Sequence, residues 1–150
     1  MSGADGYCIA AVGHDGEPKT ALATFDDVLA YLRATYNALA DDYADARVDA
    51  VEPEPDPVGG FGIWLRNRWG SDVEVGVGRD IWFLMRTEPK PSICFSDNPP
   101  LDGYLVFYLD GGHYTDLTSR DLVSRAAAME VLRRWLDANE FPPRRRPAAE

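Results

Sequence analysis

The residues that could perform chemistry are few in this chain of 150 residues. Its two histidines are His14, in the stretch GHDGEP, and His113, which stands between Asp110 and Asp116 in DGGHYTD. An imidazole flanked by carboxylates could move a proton or help to hold a cation, whereas a glycine-rich polar stretch is typical of a hairpin turn. We favour turns, because two histidines without a Cys-x-x-Cys or His-Glu-x-x-His motif are too few for a conventional zinc site.

The stretch VEVGVGRDIWFLM, residues 73–85, contains two glycines that could begin a phosphate-binding loop. A dinucleotide-binding loop requires Gly-x-Gly-x-x-Gly followed by a helix. Here Gly78 is followed by RDIWFLM, which lacks the third glycine and resumes as a strand. We therefore predict a hairpin over residues 73–87, with Gly78 or Asp80 able to take positive φ in the turn.

Other catalytic signatures are also missing from the sequence. There is no Gly-x-Ser-x-Gly elbow, Walker loop or kinase motif, and Ser92 and Ser96 alternate as strand residues. Cys8 and Cys94 each lie in a strand-like run, where we expect a buried, reduced thiol. A pair of carboxylates suited to acid and base catalysis remains an alternative. The sequence favours a protein that is not an enzyme and has no metal or cofactor.

Charge is distributed unevenly along the chain, whose formal net charge is -10. An acidic body repels nucleic acid, so direct DNA or RNA binding is disfavoured and a basic protein partner is favoured. The alternative is that the acidic residues form an ordinary solvated face. The acidic residues that we expect to bind a partner are Asp41, Asp42, Asp45, Glu52, Glu54 and Asp56.

Aromatic and arginine side chains could anchor such a partner. In FGIWLRNRW, strand alternation places Trp64, Arg66 and Arg68 on one face of a sheet. Tryptophan and arginine are enriched at binding hot spots. The alternative is that Trp64 belongs to the core while the arginines extend from the sheet edge. Tyr104, in YLVFYLD, is a third possible anchor, so the candidates are Trp64, Arg66 and Tyr104.

The first part of the chain predicts one strand, one helix and one loop. YCIAAV, residues 7–12, has the pattern of a strand. The segment 24–40 has apolar residues at helical spacing, and Thr24 can cap its first turn. The segment 41–60 is acidic and rich in proline, so we expect a long surface loop that could include a strand at 47–51.

The remainder of the chain predicts a meander of strands followed by a helix. Ser124 can cap the helix and Asn139 stands where a helix often ends in a left-handed residue. The basic tail 143–150, PRRRPAAE, is expected to be disordered. The predicted strands are 61–68, 73–77, 81–87, 92–96, 104–109 and 114–117.

These elements predict a single α+β domain over residues 1–142: an antiparallel sheet of about six strands with two main helices packed on one face. The start of the chain lacks a basic segment followed by a long apolar run. No stretch of about 18 apolar residues occurs either. We therefore expect a protein that stays in the cytoplasm.

The order of elements resembles the Imm-one family of immunity proteins from bacterial polymorphic toxin systems. The resemblance is carried by VEVGVGRDIWFLM, by GYLVFYLDGGHYTDL and by LVSRAAAMEVLRRWLDANEFP, and it covers residues 73–142. Two departures are Asn139, where the family tends to have glycine, and the tail, which replaces a strand-like segment ending in tryptophan.

The resemblance implies a non-enzymatic inhibitor that binds a toxin domain inside the producing cell. Genes of the family often neighbour toxins that include nucleic-acid deaminases, and a nuclease is a further possibility. We therefore expect an immunity protein that occludes the active site or substrate groove of its toxin. The alternatives are a small-ligand-binding module that uses the sheet face near Trp64 and Tyr104, and a hydrolase with an unrecognised carboxylate pair.

Overall fold

The computed structural model describes residues 6–12, 19–48, 58–86, 92–109 and 114–142, with the backbone alone for 44–48 and 58. The described elements, in chain order, are β1 (Cys8–Ala11), β2 (Thr20–Leu22), α1 (Phe25–Val48), β3 (Val58–Asn67), β4 (Asp72–Gly78), β5 (Ile81–Arg86), β6 (Ser92–Ile93), β7 (Tyr104–Tyr108), β8 (Tyr114–Thr118), a single 3-10 turn (Ser119–Asp121), β9 (Val123–Ser124) and α2 (Arg125–Ala138).

The nine described strands form one sheet around β3, β4 and β5. Six of them follow the order β2-β1-β3-β4-β5-β6 with antiparallel pairing throughout. Strand β7 joins β3 in parallel, β8 pairs antiparallel with β7, and β9 pairs with β5. The prediction of an α+β fold with an antiparallel sheet and two helices is confirmed, and the β3–β7 pair is a parallel exception.

Both helices pack on one face of this sheet. Strand alternation directs Ile63 and Leu65 of β3 toward the helices, and both side chains are fully buried. Val28 and Leu32 of α1 and Trp135 of α2 belong to the same buried cluster. Burial of a side chain of this size contributes about 1.5–3 kcal/mol, so this cluster dominates the stability of the fold.

The opposite face of the sheet carries a second, smaller core. Phe83 of β5 and Phe107 of β7 meet edge to face with ring centroids 5.0 Å apart, and Leu122 completes the cluster. Hairpin residues therefore divide between the two faces: Val75 and its cross-strand partner Leu84 face the helices, whereas Phe83, which pairs with Gly76, faces away. The predicted hairpin itself is confirmed.

The turn between β4 and β5 differs from the prediction in its backbone conformation. Neither Gly78 nor Asp80 is among the described residues with positive φ. Glycine is required at position 78 for a different reason, because a Cβ there would collide with the carbonyl oxygens of Ile81 and Gly59. Close approach of backbones, rather than turn geometry, explains this glycine.

Helix α1 begins as predicted and ends later than predicted. The hydroxyl of Thr24 accepts a hydrogen bond from the backbone N–H of Asp27 at 3.1 Å, and the Asp27 carboxylate accepts one from the N–H of Thr24 at 3.2 Å. The helix continues through Val48 instead of giving way to a loop at Asp41. Tyr43 explains the difference, because it lies two turns after Tyr36 on the same face and packs on the sheet.

Helix α2 agrees with its predicted ends. Ser124 precedes its first residue, although the serine hydroxyl donates to Asp97 at 2.6 Å instead of capping the helix. Asn139 ends the helix in the left-handed region with φ of 57°. The side-chain amide of Asn67 holds this end by donating to the side-chain oxygen of Asn139 at 2.8 Å and to the carbonyl of Trp135 at 3.3 Å.

Three smaller differences concern the strands. Strands β2 and β9 were not predicted, and only two residues of the predicted strand 92–96 are paired. Strand β3 begins at Val58 rather than after Gly60, because the absence of a side chain at Gly60 lets β3 and β4 approach closely. The tail 143–150 and most of the possible strand at 47–51 lie outside the described residues, and Arg47 and Val48 belong to α1.

Candidate protein-binding surface

Helix α1 brings two of the predicted acidic residues onto the surface. Asp41 and Asp42 are both exposed on its second half, directly before Tyr43. Asp45 also belongs to α1, but its side chain lies outside the described part of the chain. The other three predicted acidic residues, Glu52, Glu54 and Asp56, lie in the segment 49–57, outside the described residues.

A row of aromatic rings connects α1 to the edge of the sheet. Tyr36 and Tyr43 of α1 contact Phe61 of β3 with centroid distances of 5.8 and 6.1 Å. Tyr43 also contacts Tyr108 of β7 at 5.2 Å, and Tyr108 contacts Tyr114 of β8 at 6.0 Å. Such contacts stabilise each pair by about 0.5–1.5 kcal/mol beyond area burial, so the row fixes α1 against β7 and β8.

Strand β8 lies at the edge of the described sheet and alternates between exposed and half-buried residues. Tyr114 is 56% exposed, and Asp116 and Thr118 are exposed as well. Tyr104 of β7, which pairs with Thr118, is 41% exposed. Large apolar side chains with this exposure are uncommon among the described residues, which makes this edge a candidate for recognition.

These side chains share one side of the molecule. Tyr108 pairs with Phe61 and lies on the face of the sheet that α1 covers, and Tyr104 projects in the same direction by strand alternation. We call the set formed by Asp41, Asp42, Tyr104, Tyr114 and Asp116 the tyrosine–acid surface. It combines rigid aromatic side chains with three carboxylates, the composition that suits a basic protein partner.

Trp64 does not belong to this surface, because it is only 2% exposed. The guanidinium carbon of Arg66 lies 5.0 Å from the centroid of its ring, and the Nζ of Lys19 lies 5.4 Å from it. Trp64 is therefore a core residue, as the alternative interpretation of the sequence expected. Trp64 is not available as an anchor in this conformation, since its contacts are internal.

Arg66 is held by a neighbouring carboxylate. Its Nε donates to Oδ1 of Asp72 at 2.7 Å and one terminal nitrogen donates to Oδ2 at 3.2 Å, a two-point ion pair. The hydrogen bond with Asp72 is the main cause that raises the pKa of Arg66. With 42% of its side chain exposed, Arg66 could still contact a partner, but only through an ion pair that is already formed.

Arg68 does not share the face of Trp64 and Arg66 as predicted, because β3 ends at Asn67 and Arg68 lies in the following turn. Its guanidinium lies 4.8 Å from the ring centroid of Trp69 and donates to the carbonyl of Asp137 at 3.1 Å. It therefore links the turn to the end of α2 instead of forming an anchor with Trp64.

A ligand site between Trp64 and Tyr104 is contradicted by the geometry. Strand alternation and the β3–β7 register place Trp64 and Tyr104 on opposite faces of the sheet. This placement of the alternative ligand site fails because the sequence shows the period of each strand but not which face of one strand matches which face of another. The exposure of Tyr114 and Asp116 was not predicted, for the same reason. The alternating pattern of YTDLT is typical of an edge strand or of a strand with one covered face, and it could have indicated this exposure.

Neither cysteine is poised for nucleophilic chemistry. Burial is the main cause that raises the pKa of the Cys8 thiol to about 12 and that of Cys94 to about 11. Both are free thiols. Within the described ranges, no group of three or more His, Cys, Asp and Glu side chains is arranged to hold a metal ion. His14 and His113 lie outside those ranges.

Comparison with known proteins finds no match to this chain among protein-family models, curated proteins or solved structures. The resemblance to the Imm-one family therefore stays a prediction. Across the part of the chain that the structure describes, no helix is long and apolar enough to cross a membrane.

Proposed function

We propose that this chain is a cytoplasmic immunity protein, which binds a cognate bacterial toxin domain and neutralises it by occluding its active site or substrate groove. The observation that supports the proposal most strongly is the tyrosine–acid surface, where Tyr104 and Tyr114 are exposed beside Asp116 at the edge of the sheet. The order of elements in residues 73–142, which resembles the Imm-one family, supports it independently.

Each component of the surface has a separate role in the proposed complex. Tyr104 and Tyr114 supply apolar contact area at low entropic cost, since a tyrosine side chain has only two rotatable angles before its hydroxyl. Asp41, Asp42 and Asp116 attract a basic groove, raise the association rate and favour one orientation of the partner. Many toxins that act on nucleic acid need such a groove, so an acidic inhibitor competes directly with the substrate.

Inhibition in this proposal is steric and electrostatic, and this chain carries out no reaction. The toxin chemistry that fits best is attack on nucleic acid, by a deaminase or a nuclease, because those enzymes must attract a polyanion. An acidic surface resembles that polyanion in charge and can occupy the same groove. The formal net charge of -10 also means that this chain itself repels nucleic acid.

The test is a pull-down from the native cell lysate with the full chain as bait, followed by affinity measurement on any stoichiometric partner. We expect a basic toxin domain with nanomolar affinity, and we expect Tyr104→Ala with Tyr114→Ala to weaken it at least about a hundredfold, as two interface anchors would. Trp69→Ala is the matched control, because Trp69 is 49% exposed but lies on the β3–β4 turn, outside the tyrosine–acid surface. Equal loss in the control would contradict the proposal, and so would the absence of any stoichiometric partner.

A further inference from the structure

A cleft of about 240 Å³ lies between α1, α2 and the turn that joins β4 to β5. Its floor is apolar and buried, and its rim is cationic and exposed. The floor includes Leu32, Val77 and Trp82, and the rim includes Arg33, Arg79 and Arg125. We call it the arginine cleft. None of its residues belongs to the tyrosine–acid surface.

The rim concentrates positive charge in an acidic protein. Arg33, Arg79 and Arg125 come from α1, the β4–β5 turn and α2, so only the folded chain brings them together. Of the residues that the structure describes, no aspartate or glutamate lines the cleft. Among the described carboxylates, none forms an ion pair with these three guanidinium groups. Three cations around one concavity repel one another, and a bound anion would remove that repulsion.

Hydrogen bonds hold part of the rim in place. The backbone N–H of Arg125 donates to the carbonyl of Asp80 at 2.9 Å, and a terminal nitrogen of Arg125 donates to the carbonyl of Arg79 at 3.4 Å. A guanidinium has five N–H donors, so most donors of Arg125 remain for a ligand. Because Arg125 is the first residue of α2, the positive end of that helix dipole adds to the potential at the rim.

The floor is suited to an apolar group. Trp82 donates its indole N–H to the carbonyl of Gly78 at 2.9 Å, which fixes the ring against the turn. Leu32 and Val77 belong to the same buried cluster as Trp82, so the floor is rigid. The cleft is smaller than the roughly 300–1,000 Å³ of pockets for drug-sized ligands. Its size therefore fits one ring and one charged group, and it is too small for a dinucleotide.

We propose that the arginine cleft binds a small organic anion, whose phosphate or carboxylate group is held by Arg33, Arg79 and Arg125 while its apolar body lies against Trp82. Guanidinium groups match both kinds of anion in a two-point geometry. This site is independent of toxin binding, since it uses different residues and different chemistry, and each can fail without the other.

The test measures binding of four probes to the full chain by calorimetry, with the indole N–H signal of Trp82 followed by NMR. The probes are phenyl phosphate, benzoate, phenol and inorganic phosphate. We expect one site for phenyl phosphate or benzoate, a shift of the Trp82 signal, and much weaker binding of phenol and inorganic phosphate. Arg79→Gln and Arg125→Gln should each weaken binding about tenfold or more, as loss of a charge-assisted hydrogen bond does.

Arg134→Gln is the matched control, because Arg134 is an exposed arginine of α2 outside the cleft. Binding of phenyl phosphate alone would identify a phosphate ligand, and binding of benzoate alone a carboxylate ligand. Equal binding of phenol, or equal weakening by Arg134→Gln, would overturn the proposal. The proposal would also be overturned if none of the four probes bound at millimolar concentration. That conclusion would hold even if the arginine substitutions weakened a complex with a protein. Unchanged melting temperatures would show that the variants are folded.

Discussion

Helix α1 contributes side chains of opposite charge to the arginine cleft and to the tyrosine–acid surface. Arg33 in the first half lines the arginine cleft with Arg79 and Arg125, whereas Asp41 and Asp42 in the second half belong to the tyrosine–acid surface. Arg33 and Asp41 are eight residues apart, which corresponds to about 12 Å along the axis. A single helix thus separates a cationic concavity from an anionic surface.

This difference shows how little a net charge says about recognition. The formal value of -10 describes the whole chain and favours a basic partner. The net charge does not reveal the arginine cleft, because its three cations are far apart in the sequence, from residue 33 to residue 125. Tertiary structure decides which charges act together, and within about 10 Å their mutual effect is only partly screened by salt.

The largest effect is expected where the two surfaces depend on the same core. Trp135 of α2 is 1% exposed and stacks on Phe141 with centroids 6.0 Å apart. Trp135→Ala should lower the free energy of unfolding by about 3–5 kcal/mol, as for other buried tryptophans, and should impair both surfaces together. Urea unfolding measures the loss. Trp69→Ala, at an exposed tryptophan, is the control and should cost under about 1 kcal/mol. A similar cost for both would contradict the placement of Trp135 in the core.

Alkaline pH should also lower the free energy of unfolding of the shared core. Burial raises the pKa of Cys8 from its ordinary value of 9.0 to about 12, so above pH 9 the unfolded chain releases a proton that the folded chain keeps. The free energy of unfolding therefore falls as pH rises, by about 2 kcal/mol from pH 9 to pH 11 for this one thiol. Urea unfolding at several pH values measures the slope.

Cys8→Ala separates this effect from other titrations. The variant starts from lower stability, because it loses buried volume, but its free energy of unfolding should fall less steeply above pH 9 than that of the wild type. Tyr7 contributes in the same direction, since burial and its 2.6 Å hydrogen bond to Asp137 raise its pKa as well. Equal slopes in wild type and Cys8→Ala would show that Cys8 is not protected from ionisation.

Charge reversal sharpens the contrast between the two surfaces directly. Asp41→Lys with Asp42→Lys should lower the association rate with the toxin domain about tenfold at low salt, and the difference should shrink at high salt because the attraction is screened. Arg33→Glu with Arg79→Glu changes the charge by the same amount with opposite sign, and should not slow association. Stopped-flow measurements at two salt concentrations test this. Equal rates for wild type and the aspartate variant would remove Asp41 and Asp42 from the proposed surface.

The smallest effect is expected at Arg66, which lies away from both surfaces. Arg66→Lys keeps the charge but loses the two-point ion pair with Asp72 and the stacking on Trp64. Because Arg66 is substantially exposed, the cost should be only about 0.5–1 kcal/mol and should decrease with added salt. Arg134→Lys is the control, since its contact with Glu140 is long at 3.9 Å and exposed on both sides. If Arg134→Lys lowered the free energy of unfolding more than Arg66→Lys, the two-point ion pair of Arg66 with Asp72 would not be stabilising in the way described.

The sequence predicts the fold where local chemistry and burial agree. Thr24 and Asn139 marked helix ends correctly, and the β4–β5 hairpin followed from alternating apolar residues without a third glycine. The end of α1 was missed because the acidic residues after Ala40 suggested a loop, while contacts of Tyr43 with Phe61 and Tyr108 favour the helix. Contacts with distant strands override such local signals.

The candidate surfaces could be predicted only in part. Asp41, Asp42 and Tyr104 were named from composition and alternation, and each is exposed. Trp64 was named for the same reasons, yet it is buried, because alternation fixes which residues share a face but not which face is covered. Arg33, Arg79 and Arg125 carried no sequence signal, since nothing in their local surroundings indicates that three distant segments converge.

The most direct measurement is survival of cells that express the toxin domain captured in the pull-down. Either the wild-type chain or the Asp41→Lys, Asp42→Lys, Tyr104→Ala, Tyr114→Ala variant is supplied in the same cell. We expect the wild type to restore growth and the folded variant to fail, because the proposed immunity requires the tyrosine–acid surface to occlude the toxin. Growth restored equally by both would contradict the role of that surface, and growth restored by neither would contradict immunity itself.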